Sequence, residues 1–280
     1  MTLRDRTARR RSSKAVSRRH RTSRWRRMIG RAVLPALLVV VAALVAAAVV
    51  FGRSGGETGP LRAAIIDQLE LTVPNPEFVA SGREMLEEAG YAVDYYPGEE
   101  VTVEFYRSLP ARGYDLIILR THSGLVARED GPGFTDKAVL FTANPYNPQT
   151  DLGRLRPDDR PRLASVAYEV RVPPFYLGIK PEFVAESMQG GFDGATVIVM
   201  GCDLLRGKSM AEAFVQRGAG EVVGWDRSVT AGHTDAATER LLQHMVLDGL
   251  STEEAVAQTM RELGPDPAFD AELVFYSSKD

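Results

Sequence analysis

Twenty consecutive residues, Ala32 to Phe51, carry no charged side chain. At about 1.5 Å per residue they would make roughly 30 Å of helix, the thickness of a bilayer's hydrocarbon core. Pro35 falls in the first turn, where a missing N–H costs little. The preceding segment, Met1 to Arg31, holds 13 Lys and Arg residues against one acid, Asp5, and Arg24, Arg26, Arg27 and Arg31 stand closest to the apolar run. An excess of Lys and Arg marks the cytoplasmic side of a span, and such tails lie against anionic lipid. The expectation is a single-pass cell-membrane protein: a basic cytoplasmic tail at 1–31, a transmembrane anchor at 32–51, a flexible Gly/Ser linker at 52–60 and an extracytoplasmic domain at 61–280. A cleaved signal peptide is the competing reading, with Ala46, Ala47 and Ala48 resembling a cleavage site. The apolar run is longer than the roughly 7–15 residues of a usual h-region. Arg26-Arg27 is a weak twin-arginine match. Each alternative still exports the domain.

Charge is divided unevenly along the chain. Of 34 basic and 37 acidic residues, 21 and 36 remain after Arg31, so the rest of the chain carries about −15. An acidic domain of this kind argues against nucleic acid as its partner, because phosphate binding needs Lys and Arg clustered on the folded surface. The single cysteine, Cys202, cannot form an internal disulfide. An unpaired thiol in an exported protein is either sequestered or reactive; on burial statistics alone a lone Cys is more often a small core residue.

After the linker, short apolar runs alternate with helical patterns. Ala63 to Leu69 reads as a strand. Asn75 then Pro76 gives an N-cap followed by proline at the first helical position, and Gly90 ends that helix. Tyr91 to Tyr95 is a second strand, Thr102 to Ala111 a second helix, and Tyr114 to Leu119 a strand apolar on both faces. The pattern resumes with Ala195 to Met200, then a helix opened by Ser209 and Glu212 in capping-box spacing and closed by Gly218. Glu221 to Gly224 is a strand, Thr234 to Leu247 and Ser251 to Leu263 are helices, and Leu273 to Ser277 is a last strand. The order predicts an α/β domain with a largely parallel sheet covered on both faces. Val126 to Pro161, rich in Gly, Pro, Asp and Asn, reads as a long irregular connection interrupted by one apolar run, Ala138 to Phe141. Arg162 to Tyr168 and Phe175 to Ile179 read as further strands, hairpin-like around Pro173-Pro174.

Ligands of open parallel sheets bind beyond the carboxyl ends of the strands. There the two fully apolar strands run into Arg120-Thr121-His122-Ser123-Gly124 and Gly201-Cys202-Asp203. If the strands are neighbours, about 4.8 Å apart, imidazole and thiol can meet. A thiolate is the nucleophile, and a nearby imidazole lowers the thiol pKa and later protonates the leaving group. No metal or dinucleotide motif is present: there is no paired Cys, no H-E-x-x-H, no Asp-rich calcium loop and no G-x-G-x-x-G after the first strand. No cofactor is expected. His233 and His244, on or near a predicted helix, read as packing or surface residues.

The run GATVIVMGCDLLRGKSMAEAFVQRGAGEVVGWDRSV, with YDLIILRTHSG some eighty residues upstream, resembles the caspase-like (clan CD) cysteine peptidases, nearest the CHAT and gingipain-like branches. The resemblance covers Leu61 to Tyr276 and is clearest from Gly194 to Asp226. It implies a three-layer α/β/α sandwich and an endopeptidase acting on a protein or peptide, with His122 as base and acid and Cys202 as nucleophile. The oxyanion hole would come from backbone N–H groups of Ser123, Gly124 and Cys202. In the family the His is commonly followed at once by Gly, whereas here Ser123 intervenes. Trp225 and Asp226 correspond to a region that helps build the specificity pocket, and Asp67 and Asp203 are further acidic candidates; an acidic pocket would favour Lys or Arg before the cut. The competing reading has equal weight: Asp226 caps a turn and Trp225 packs, and Asp67 at the end of the first strand is open in the same way. Two rivals stand beside this expectation: a non-catalytic binding or sensory domain on the same sheet, and a hydrolase with Ser123 as nucleophile, which lacks a G-x-S-x-G elbow.

Overall fold

The computed structural model describes residues 59–279 apart from Glu129, Val170 and Arg171. The tail, the anchor and the linker up to residue 58 lie outside the described residues. Among the described residues no helix is long and apolar enough to cross a membrane.

Among the described residues ten strands form two sheets. Six of them, β1 (Arg62–Asp67), β2 (Ala92–Pro97), β3 (Leu116–Arg120), β8 (Thr196–Val199), β9 (Glu221–Trp225) and β10 (Leu273–Ser277), make the central sheet in the order β10-β9-β8-β3-β1-β2. All neighbours are parallel except β10 against β9. The strand that looked apolar on both faces, β3, is buried at every position, as a centre strand covered from both sides must be.

The two faces have separate cores. On one, Phe78 and Leu86 of α1 (Pro76–Glu88), Leu241 and Leu242 of α5 (Ala231–Leu242) and Ala255 and Val256 of α6 (Thr252–Leu263) pack on Ile65, Ile118, Ile198 and Val223. On the other, Phe105 and Tyr106 of α2 (Val103–Ser108), Phe183 and Val184 of α3 (Pro181–Glu186) and Met210 and Phe214 of α4 (Ser209–Gln216) pack on Ile66, Ile117, Leu119 and Val197. The mixed α/β class with a mostly parallel, two-sided sheet is therefore as the sequence predicts.

Local signals set several boundaries. Asn75 accepts from the Phe78 N–H at 3.1 Å and caps α1, with Pro76 in the first turn. Ser251 and Glu254 form the expected capping box on α6. The same pattern fails on α4. Lys208 already has helical angles (φ −86°, ψ −15°) and holds the cap position, while Ser209 is the first helical residue and its buried hydroxyl has no partner among the described residues. A capping side chain needs the extended backbone that Ser209 does not have.

The long connection is also different from the expectation. Instead of irregular chain, β4 (Ser123–Ala127) and β5 (Phe134–Pro145) form an antiparallel pair, joined by β6 (Leu163–Val166) and β7 (Tyr176–Ile179) in a second sheet of order β4-β5-β7-β6. Only Ala138 to Thr142 of β5 is buried, and its first half is largely exposed, so the strand shows no alternation beyond that run. The β6–β7 hairpin does enclose Pro173-Pro174. Helix α3 has no counterpart in the sequence reading.

Candidate functional site

Beyond the carboxyl end of β3 the chain turns from one sheet into the other within two residues. Arg120 ends the central strand, Thr121 and His122 make the connection, and Ser123 opens β4. Arg120 anchors the turn. It is 0% exposed and its guanidinium donates to Asp67 Oδ1 at 2.7 Å, to both carboxylate oxygens of Asp235 at 2.8 and 3.0 Å, and to the Val73 carbonyl at 2.9 Å. Asp235 also accepts from Asn75 Nδ2 at 2.8 Å. One side chain thus ties the ends of β1 and β3 to the segment before α1 and to α5.

Gln68, fully buried just after β1, is the second clamp. Its Oε1 accepts from the His122 N–H at 2.9 Å and its Nε2 donates to Tyr168 Oη at 3.1 Å. The His122 ring packs against Tyr168 and Phe141, centroids 4.8 and 5.8 Å away. Its Nε2 lies 2.7 Å from Thr72 Oγ1, with donor and acceptor set by the tautomer. Burial, helped by the positive charge of Arg120, lowers the imidazole pKa to about 4.

Cys202 lies in the turn after β8, half-buried. Its thiol contacts the backbone of Val229, accepting from the N–H at 3.5 Å and donating to the carbonyl at 3.6 Å. Burial pushes the thiol above its ordinary range; the Val229 contact opposes this and the Asp203 charge adds to it. Among the described residues no hydrogen bond joins the thiol to the His122 imidazole. The two turns do touch: the Ser123 hydroxyl Oγ donates to the Cys202 backbone carbonyl at 2.5 Å. Gly201 makes this approach feasible, because a Cβ there would sit 2.3 Å from Ser123 Oγ and 2.5 Å from the Thr121 carbonyl.

Among the described residues, the other sequence candidates make no hydrogen bond to the thiol. Asp67 is 1% exposed; burial raises its carboxyl pKa against the pull of Arg120, and Oδ1 also caps the 3-10 turn Gln68–Leu71 through the Glu70 N–H. Trp225 is fully buried and donates to Thr234 Oγ1, which donates to the Met200 carbonyl. These two are interior ties, and no ligand can reach them without unpacking the core. Asp226 caps the Glu272 N–H at 2.8 Å. Asp203, at φ +56°, accepts from Arg206 and Ser228 and fixes the turn that carries Cys202. Ser123 and Gly124 lie in strand β4 and not in a glycine turn. His233 packs beside Trp225, and buried His244 lies between Asp248 and Glu262.

Sequence reasoning missed Gln68, Thr72 and Tyr168. Gln68 directly follows β1 and Thr72 ends the 3-10 turn after it, so the carboxyl-end rule that found His122 and Cys202 could have found them. Tyr168 also lines a cavity of about 390 Å³ with Leu71, Glu99, Ala143 and Tyr176, and Leu71 and Glu99 continue into a second of about 520 Å³ bounded by Glu70, Pro74, Pro97 and Glu100.

The lowered His122 pKa has a consequence for stability. Above the unfolded value of about 6.5, both states hold a neutral ring. As pH falls from there to about 4, only the unfolded chain takes up the proton, so stability is lost on acidification. The full shift corresponds to about 3 kcal/mol. Urea unfolding at pH 7 and pH 4 should show that this part of the acid loss disappears in His122→Gln. An identical acid loss in variant and wild type would mean the ring is not buried as described.

A scan against protein-family models and a search of curated proteins find no match to this chain.

Proposed function

We propose that this protein is a membrane-anchored cysteine endopeptidase. Its caspase-like domain would be held outside the cytoplasm by the segment 32–51, with Cys202 as nucleophile and His122 as proton carrier. The observation that carries the reading is strand register. β3 and β8 are adjacent and parallel with Leu119 opposite Val199, and the Met200 N–H still bonds to the Leu119 carbonyl. Three residues further on, His122 and Cys202 both lie beyond the carboxyl ends of these adjacent strands, at one rim of the sheet. The segment that carries the resemblance is also built as a strand, a cysteine turn, a helix and a strand, β8 to β9.

The chemistry follows from the two groups. As Sγ attacks a peptide carbonyl, the neutral imidazole takes the thiol proton. The tetrahedral oxyanion is held by backbone N–H groups, and His122 returns the proton to the departing amine. Water, deprotonated by the same ring, then hydrolyses the thioester. The resting arrangement is not this one: Thr72 engages the imidazole and Val229 the thiol. Substrate must displace both contacts by side-chain rotation, so the resting thiol is protonated and quiet, which suits a lone cysteine outside the cytoplasm.

Those same resting contacts favour a second reading, a binding domain whose cysteine is structural. To separate the two, the full-length chain and its Cys202→Ala variant would be incubated with a denatured protein mixture and new peptide N-termini counted. Cleavage by the wild type alone supports the peptidase. Equal counts from both proteins would sink it, and a search for a binding partner would then follow.

A further inference from the structure

We infer that the free edge of β4 is a docking rail for an extended peptide, aligned so that the peptide bond to be cut lies over Cys202. Among the described residues β4 is the outer strand of the second sheet and pairs only with β5, Ser123 opposite Leu140 and Gly124 opposite Val139. The Phe141 N–H donates to the His122 carbonyl at 3.0 Å, which makes His122 and Phe141 a hydrogen-bonded pair. Antiparallel pairs alternate between bonded and unbonded. Gly124 therefore spends its backbone groups on Val139, while Ser123 and Leu125 direct theirs away from β5.

The far side of β5 gives the same phase independently. The Lys180 N–H donates to the Arg162 carbonyl, so Ile179 is unbonded to β6 and turns its backbone groups to its register partner on β5, Leu140. Leu140 is then committed to β7 and not to Ser123. Among the described residues no hydrogen bond reaches the outward N–H and C=O groups of Ser123 and Leu125.

An unpaired edge is a template for another strand, and three features fit this one to a substrate. It starts at the residue after His122. Its first outward N–H belongs to Ser123, which is 8% exposed and whose hydroxyl bonds the Cys202 carbonyl, so a docking peptide enters from the more open Gly124 end. Around Gly124 there is open space, with no atom within 4 Å of an added Cβ, and the strand becomes exposed toward Ala127. A peptide paired here has one carbonyl on the Ser123 N–H and another about 6.8 Å further along, on that of Leu125. The first is the carbonyl that Cys202 attacks. Specificity from such a rail is for extended main chain, with alternate side chains left to neighbouring surfaces. The placement of the cut rests on the peptidase reading; the docking itself does not.

The probe is the tightest binder recovered from a randomised N-acetylated heptapeptide pool on the full-length Cys202→Ala chain. It would be compared with two versions N-methylated on alternate residues in opposite phases. Bound peptide should slow hydrogen exchange at the Ser123 and Leu125 amides. One methylation phase should weaken binding by about tenfold or more while the other leaves it nearly unchanged. Protection that misses those two amides, equal effects of both phases, or a pool with no retained member overturns the rail. Wild-type chain that protects those amides but leaves the peptide uncut supports the rail and removes the peptidase reading.

Discussion

On the proposed peptidase reading, replacing His122 by Ala should lower kcat/KM for peptide hydrolysis by about 100- to 10,000-fold, the range of a lost general acid–base group. The argument starts from protonation. Burial and Arg120 hold the ring at a pKa of about 4, so it is neutral and able to accept a proton throughout the neutral range. The thiol, raised by burial, stays protonated there, and its proton must leave as the bond to carbon forms. Activity should therefore rise with pH through about 4, in place of the usual imidazole region near 6.5, and stay flat across neutrality. The kcat/KM profile of the full-length chain between pH 3.5 and 8 checks this. An acid limb at 6.5 would mean that substrate-free enzyme holds His122 in water and not against Tyr168 and Phe141. A variant as active as wild type would remove the ring from the mechanism. Slow modification of Cys202 by a small electrophile at pH 7, unaffected by His122→Ala, belongs to the same picture, because in the resting state the thiol answers to Val229.

Arg120→Met should cost about 3–5 kcal/mol of folding stability, the range for removing one partner from a buried ion pair. The side chain is inaccessible, and the carboxylates of Asp67 and Asp235 are almost equally so. Without the guanidinium two acids are left in the core without a cation, and the Val73 carbonyl loses its donor. Unfolding in urea measures the loss. The triple variant Arg120→Met, Asp67→Leu, Asp235→Leu should recover much of it, since an apolar replacement of similar volume removes the stranded charges as well. A cost below about 1 kcal/mol, the usual value for an exposed pair, would show the network to be open to water. The effect should extend to the site, because Val73 adjoins Thr72 and the same contact sets where the His122 partner stands.

Much of the fold was written in local pattern. Runs such as YDLIIL and ATVIVM read as strands covered on both sides, and Asn75-Pro76 and Ser251 with Glu254 fix helix starts through groups three residues apart. His122 and Cys202 were legible because the carboxyl ends of parallel strands share one rim of the sheet. What the sequence did not disclose are contacts set by strand order. Asp67 and Arg120 are 53 positions apart and meet because β1 and β3 are neighbours. Asp67 at a strand end looks the same in sequence whether it faces a ligand or a buried arginine.

The hairpin of β4 and β5 was hidden for a related reason. Its outer half is exposed and carries no alternation, and it exists because its inner half is buried between the second sheet and the helices below. By itself, the sequence determined the alternation of strands and helices, the caps of α1 and α6, and which strand ends carry imidazole and thiol. Only the tertiary structure decided that the imidazole rests on Thr72, the thiol on Val229, and Asp67 and Trp225 in the interior. Hydrophobic periodicity records how deeply a residue is buried, whereas a polar side chain's partner depends on which distant segment packing brings within about 3 Å.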